Sequence, residues 1–275
     1  CGALKEAEDV FVEVKHPDVV TYNVMLGIYA EHNTTMALDF YRKMRKEGVT
    51  VNGSTFVAVL LACRKFAEKE HDTAAEGQSV KAVTLQWVQE IHADAWNIGF
   101  SSNLMVGNNL LNMYGKCGDI RKAEDLFLCL TERDTVSWTG MLSAYIEGGQ
   151  EEKAILLYRQ ILDENIAMDG QLFVMVIQAC CAMADKDSEK PSMKTISLEI
   201  GHAVHAHVKR KRLHTDPFIL NTLVTMYARC GSILEASNVF CSMPEPPMVS
   251  YNAMLSAYVE TGECEVALRF YQYML

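Results

Sequence analysis

The sequence predicts an all-α protein, a right-handed α-solenoid superhelix of stacked helix-turn-helix repeats. Three observations predict it. The phrase Met113-Tyr114-Gly115-Lys116-Cys117-Gly118-Asp119-Ile120 returns 113 residues later as Met226-Tyr227-Ala228-Arg229-Cys230-Gly231-Ser232-Ile233, and the chain opens on the same phrase at Cys1-Gly2-Ala3-Leu4. Tyr22-Asn23, Trp138-Thr139 and Tyr251-Asn252 keep the same spacings. Within one period, apolar residues recur at helical intervals and are broken by glycine pairs. A long period that recurs three times marks stacked units that touch only their neighbours, with function spread along a concave surface.

Residues 135–169 show one unit clearly. A first helix runs from Val136 to Glu147, and Gly148-Gly149 breaks it. A second helix runs from Glu151 to Asp163, with Ala154, Leu157, Tyr158 and Ile161 as its apolar stripe. Asp163 to Asp169 link to the next unit. A hairpin of 35 residues cannot bury its apolar face alone. The other units follow in register. Residues 1–18 are the tail of a short unit, and 19–52 form a 35-type unit shortened near Asn33. Residues 53–103 form a long unit, 104–134 a short one, 135–169 the 35-type unit, and 170–216 a second long unit. Residues 217–247 are short, and 248–275 are a truncated 35-type unit. Each long unit opens on a Phe-Val pair and carries a polar insertion between its helices, around Lys69–Ser79 and Asp185–Ser197, read as mobile loops. The expected count is about fifteen helices and no strand.

Composition narrows the function classes. With 275 residues and 49% hydrophobic composition, the chain has ample material for a core. No apolar run nears the roughly 20 residues of a membrane span. The chain starts and stops inside repeat phrases and shows no transit peptide, so it reads as a fragment of a longer protein. Nine cysteines include no C-x-x-C, and four of them (Cys1, Cys63, Cys117, Cys230) sit at repeat-determined places, which favours reduced helix cysteines and a reducing compartment. A net charge of −10 argues against nucleic-acid binding by the whole surface but leaves room for a local basic stripe. His202, His205 and His207 look metal-like, yet His205 aligns with His92 in the other long unit, so repeat position explains it. The zinc signature of a cytidine deaminase is missing, as are phosphate-loop and nucleophile-triad motifs. The fragment is expected to bind rather than catalyse, without cofactor or metal.

Val19-Val20-Thr21-Tyr22-Asn23, Thr135-Val136-Ser137-Trp138-Thr139 and Met113-Tyr114-Gly115-Lys116-Cys117-Gly118 resemble pentatricopeptide repeats. The order of short, 35-type and long units is similar to the plant subclass built from P, L and S triplets. The resemblance covers the whole chain. It implies single-stranded RNA binding with about one base per repeat. It places base reading on a residue early in each first helix and on the last residue of the repeat, with an apolar wedge nearby. The early position falls on Asn23, Val57, Asn108, Thr139, Val174, Asn221 and Asn252, and the closing position on Asp18, Asn52, Asn103, Asp134, Asp169, Asp216 and Pro247. The wedges are Val20, Met105, Val136, Phe218 and Val249. Ser54 and Gln171 hold that place in the long units, which are expected to discriminate bases little. An Asn offers both a donor and an acceptor to a pyrimidine edge, whereas Thr leaves room for a purine. Singly, each Asn could be an ordinary residue at a helix start. Four Asn and one Thr in one register favour the reader reading.

Lys65, Lys116 and Arg229 occupy the place where the resemblance puts phosphate contacts, although Glu31 and Glu147 interrupt the stripe and a favourable helix-dipole role stands beside it. Lys209-Arg210-Lys211-Arg212 reads as a solvated helix end that could touch RNA. The implied role is the targeting array of an organellar C-to-U RNA-editing factor, in mitochondrion or chloroplast. Editing cofactor proteins, or a deaminase domain outside these residues, would act as partners. An RNA stability or processing factor and a helical-repeat protein scaffold are the alternatives. The implied RNA over residues 19–247 is 5′-YNUGNN-3′, with U at Asn108/Asp134, G at Thr139/Asp169 and a weak pyrimidine leaning at Asn221/Pro247.

Overall fold

A computed structural model describes residues 2–68, 80–100, 102–186 and 193–274. Its described residues form fifteen helices and no strand. The chain divides into two compact units, Cys1–Glu147 and Gly148–Leu275.

The first unit holds α1 (Gly2–Glu13), α2 (Val19–His32), α3 (Thr34–Lys46), α4 (Gly53–Glu68), α5 (Val80–Ile98), α6 (Leu104–Cys117), α7 (Ile120–Cys129) and α8 (Thr135–Glu147). Helices α2, α4, α6 and α8 pack side by side in that order. Helix α3 seats on α2 and α4, α5 on α4 and α6, and α7 on α6 and α8. Two layers result, one of first helices and one of second helices. The second unit repeats the plan with α9 (Glu151–Asp163), α10 (Gly170–Asp185), α11 (Met193–Arg210), α12 (Pro217–Arg229), α13 (Ile233–Cys241), α14 (Met248–Glu260) and α15 (Cys264–Met274). There α10, α12 and α14 pack in order, α11 covers α10 and α12, and α13 covers α12 and α14.

Local chemistry sets the helix limits. Asp18, Asn103 and Asp169 each accept the backbone N–H three residues on, and Asp216 accepts those of Phe218 and Ile219. A side-chain cap of this kind stabilises a helix start by about 1 kcal/mol. The closing residue of one repeat is therefore the N-cap of the next. Gly118, Gly231 and Gly262 take positive φ between the paired helices α6/α7, α12/α13 and α14/α15, where a side chain would be strained. In the shortened 35-type unit the single residue Asn33 ends α2 and caps α3.

Stacking depends on a tyrosine that recurs near the end of the first helices. Tyr29 donates to Glu8 (2.9 Å) and Tyr145 to Glu124 (3.0 Å), each on the preceding second helix. Tyr114 and Tyr227 bond Nδ1 of His92 (2.8 Å) and His205 (2.9 Å) in the same way. The two histidines thus share one tyrosine partner 22 residues on, which supports the repeat-position explanation for both. Buried Cys63 and Cys180 hold the tyrosine place in the long units, and burial pushes the Cys63 thiol up to about 12. Close approach of α6 and α8 requires Gly115, where a Cβ would lie 2.8 Å from that of Ala144.

The insertions differ from expectation. Residues 69–79 and 187–192 lie outside the described residues. Residues 193–197, expected within a loop, are the first turn of α11, where Ser197 is fully buried. A polar composition hid a helix start whose contacts are tertiary.

Candidate nucleic-acid interface

All five wedge residues are the second residue of a first helix: Val20 in α2, Met105 in α6, Val136 in α8, Phe218 in α12 and Val249 in α14. All five stand in solvent, between 57% and 79% exposed. The contrast is sharp within one turn, since Val136 is followed by Ser137 and Trp138, both fully buried. Asn23, Asn108, Thr139, Asn221 and Asn252 are the fifth residues of the same helices. Second and fifth residues lie three apart, on one helix face. Each exposed apolar side chain therefore sits one turn from an Asn or Thr. The long units break the pattern, with Ser54 and Val57 in α4 and Gln171 and Val174 in α10.

The structure brings two of the expected reader pairs into contact. Asn23 Nδ2 donates to Asn52 Oδ1 at 3.2 Å, and Asn108 Nδ2 donates to Asp134 Oδ1 at 3.0 Å. Asn52 and Asp134 also cap the following helix, accepting from the backbone N–H of Thr55 (3.0 Å) and Ser137 (2.9 Å). Burial pushes the Asp134 carboxyl up, but the Ser137 N–H, the Asn108 amide and the Ser137 hydroxyl outweigh it and hold it below the usual carboxylate range. The second terminal atom differs between the pairs: an N–H donor on Asn52, a carboxylate acceptor on Asp134.

Asn221 has no side-chain partner at Pro247. Its Oδ1 instead accepts from the Ser250 hydroxyl at 2.7 Å. The hydroxyl of Ser137 stands in the same relation to Asn108 Oδ1, also at 2.7 Å. Sequence reasoning missed these hydroxyls because they belong to the next repeat. Thr139 is buried, and its hydroxyl donates to Thr135 O at 2.7 Å. Asp169 is exposed and caps α10. Thr139 and Asp169 belong to different compact units. Asn252 and Val249 line a groove of 770 Å³ in the second unit, together with Asp185, Lys194, Arg229 and Ser256.

The basic positions are occupied by internal partners. Lys65 pairs with Glu31, Lys116 with Glu68 (2.8 Å) and Arg229 with Asp185. Each pair joins a first helix to its predecessor in the same layer, and the hydrogen bond from Lys116 holds the Glu68 carboxyl below its ordinary range. Glu31, which seemed to interrupt a basic stripe, is the partner of one of its members. Beyond α11, Lys211 and Arg212 form an exposed turn, with Arg212 at positive φ.

These features define a class: a helical-hairpin repeat protein in which five of seven first helices carry an exposed apolar residue one turn before an Asn or Thr. Models described as PPR repeat family and PPR repeat match residues 17–65, 108–134, 136–166, 218–245 and 249–275, more than half of the chain. The chain belongs to the pentatricopeptide repeat family. A pentatricopeptide repeat-containing protein of Arabidopsis thaliana is 29% identical over 273 residues, covering 98% of this chain and 39% of the relative. Another from that plant, named mitochondrial, is 29% identical over 94% of the chain and 23% of its own length. A third, named chloroplastic, is 29% identical over 98% of the chain and 39% of its own length. The chain thus spans less than half the length of these relatives. Among solved structures, the pentatricopeptide repeat protein PPR10 in complex with an 18-nt psaJ RNA element is 17% identical, over 97% of this chain and 46% of that one, with a TM-score of 0.49.

Proposed function

We propose that the chain binds single-stranded RNA along its layers of first helices, about one base per repeat, with the base read in the Asn- or Thr-bearing repeats. The observation that supports this best is that five apolar side chains stand in solvent, each one turn before an Asn or Thr of the same helix. Exposed Val, Met and Phe cost solvation unless a flat apolar face covers them, and an unstacked base supplies such a face. At Asn108/Asp134 the free carboxylate oxygen suits the N3–H of uracil. At Asn23/Asn52 the amide donor suits the N3 acceptor of cytosine, within the pyrimidine preference. The Thr139 hydroxyl already gives its proton to Thr135 O, so its oxygen is left to accept, which suits the N1–H and N2–H donors of guanine. The motif 5′-YNUGNN-3′ follows.

In the whole protein we assign this array to transcript targeting by a PLS-type organellar C-to-U editing factor. The deaminase would lie elsewhere in the protein or be supplied in trans. Relatives named mitochondrial and chloroplastic support an organellar address. An anisotropy titration tests the binding: single-stranded RNA carrying the motif is expected to bind better than the same RNA in duplex, because base edges and faces must be free. Equal affinity for both forms would overturn the proposal.

A further inference from the structure

Resting on that reading, we infer that the readers Asn108 and Asn221 are each seated by a hydroxyl from the following repeat, so that a specificity unit there comprises three residues drawn from two repeats. Ser137 Oγ donates to Asn108 Oδ1 at 2.7 Å, and Ser250 Oγ donates to Asn221 Oδ1 at 2.7 Å, 113 residues further on. Ser137 and Ser250 are both fully buried at the third position of a first helix.

The sequence carries the same association. The readers Asn23, Asn108 and Asn221 are followed, at the third position of the next first helix, by Thr55, Ser137 and Ser250. The readers Val57, Thr139 and Val174 are followed there by Val106, Leu172 and Ile219. A hydroxyl stands behind each of these amides, and an aliphatic residue behind each reader that lacks one. Capping alone would not sort the residues this way, since Asn103, Asp169 and Asp216 cap their helices without a hydroxyl at that place.

The three seats differ in how many anchors they use. At Asn108 the hydroxyl proton of Ser137 faces two acceptors, Asn108 Oδ1 and Asp134 Oδ1 (2.9 Å). Asp134 Oδ1 also receives the Ser137 N–H and the Asn108 amide, and the hydroxyl proton is shared between the two acceptors with the shorter contact to Asn108. The amide is then held at both ends. At Asn23 the Thr55 hydroxyl contacts Asn52 Oδ1 (3.1 Å) instead, and Asn23 Oδ1 is buried without a protein partner. At Asn221 the hydroxyl is the one side-chain anchor described. Pro247 has neither an acceptor side chain nor an N–H for Ser250 to cap, so the Ser250 hydroxyl has no capping role there. Its only other contact described is Met243 Sδ at 3.8 Å. Ser250 is a positioning residue that makes Asn221 a reader despite Pro247.

The test compares wild type with Ser250→Ala and Ser250→Thr on single-stranded RNAs varied at the sixth base of the motif. Thr occupies the same place at Thr21 and Thr55, so its methyl fits the register. Wild type is expected to prefer a pyrimidine there. Losing its one anchoring hydrogen bond should abolish that weak preference in Ser250→Ala, with the third-base preference unchanged and Ser250→Thr restoring the sixth. In RNA-free protein the Asn221 side-chain amide NMR signals should broaden in Ser250→Ala alone. Unchanged sixth-base preference and unchanged amide signals in Ser250→Ala overturn the inference. A parallel loss at every base overturns it too, because that is the mark of a purely structural role. Failure of wild type to bind single strands overturns the RNA reading and this inference with it.

Discussion

Replacing Asp134 by Asn changes one terminal atom in a defined place. Asp134 Oδ1 accepts from Ser137 N–H at 2.9 Å and from Asn108 Nδ2 at 3.0 Å, and an Asn side-chain oxygen can accept both, as Asn52 does from Thr55 N–H and Asn23. The helix cap should survive, since Asn and Asp cap about equally well. What changes is the second atom, from a carboxylate acceptor to an N–H donor. Uracil offers N3–H and cytosine offers a bare N3, so the substitution converts a match with uracil into a match with cytosine. One hydrogen bond made or left unmade is worth about 1–2 kcal/mol in such readouts, so the U-to-C preference at the third base should swing by about 5–30-fold. Competition anisotropy with two RNAs differing at that base measures it, while circular dichroism checks that the melting transition stays put. A U preference that survives in Asp134→Asn would refute the assignment of that carboxylate as a reader.

Other outcomes follow from charges in the same layers. Glu68→Gln should free Lys116 from its 2.8 Å ion pair, raise RNA affinity at low salt and steepen the log-affinity against log-salt slope by up to about one phosphate contact; an unchanged slope would remove Lys116 from the phosphate contacts. His205 is held neutral down to about 4, by burial first and then by Lys209 and His202. The folded state therefore binds its proton less readily than the unfolded chain, whose histidine titrates near 6.5. The stability present above 6.5 should fall as pH drops toward 4, and His205→Gln should flatten this slope in urea melts taken across that range.

Much of this architecture was legible because the repeat superimposes local signals. A helix cap, an Asn or Thr one turn in, and a glycine break recur at fixed offsets, and each recurrence strengthens the same register. That is why Glu151–Asp163 was readable to the residue and why Val20, Met105, Val136, Phe218 and Val249 fell on one position. Other features were hidden because they depend on the spacing between helices. Lys65 faces Glu31, Lys116 faces Glu68 and Arg229 faces Asp185 across neighbouring helices, and the intervals of 34, 48 and 44 residues share no sequence period. The hydroxyls of Ser137 and Ser250 face an amide of the previous repeat, a contact that no spacing within their own helices signals. The start of α11 at Met193 was obscured by polar residues whose burial is set by packing, as Ser197 shows.

Selection of bound RNAs from a random single-stranded pool tests the central claim most directly. The readers are expected to enrich 5′-YNUGNN-3′, with U at the third position as its sharpest base, set by Asn108 and Asp134, and no preference at the bases facing Val57 and Val174. Enrichment without a position-specific base at Asn108/Asp134, or a sharp base opposite a valine reader, would contradict it.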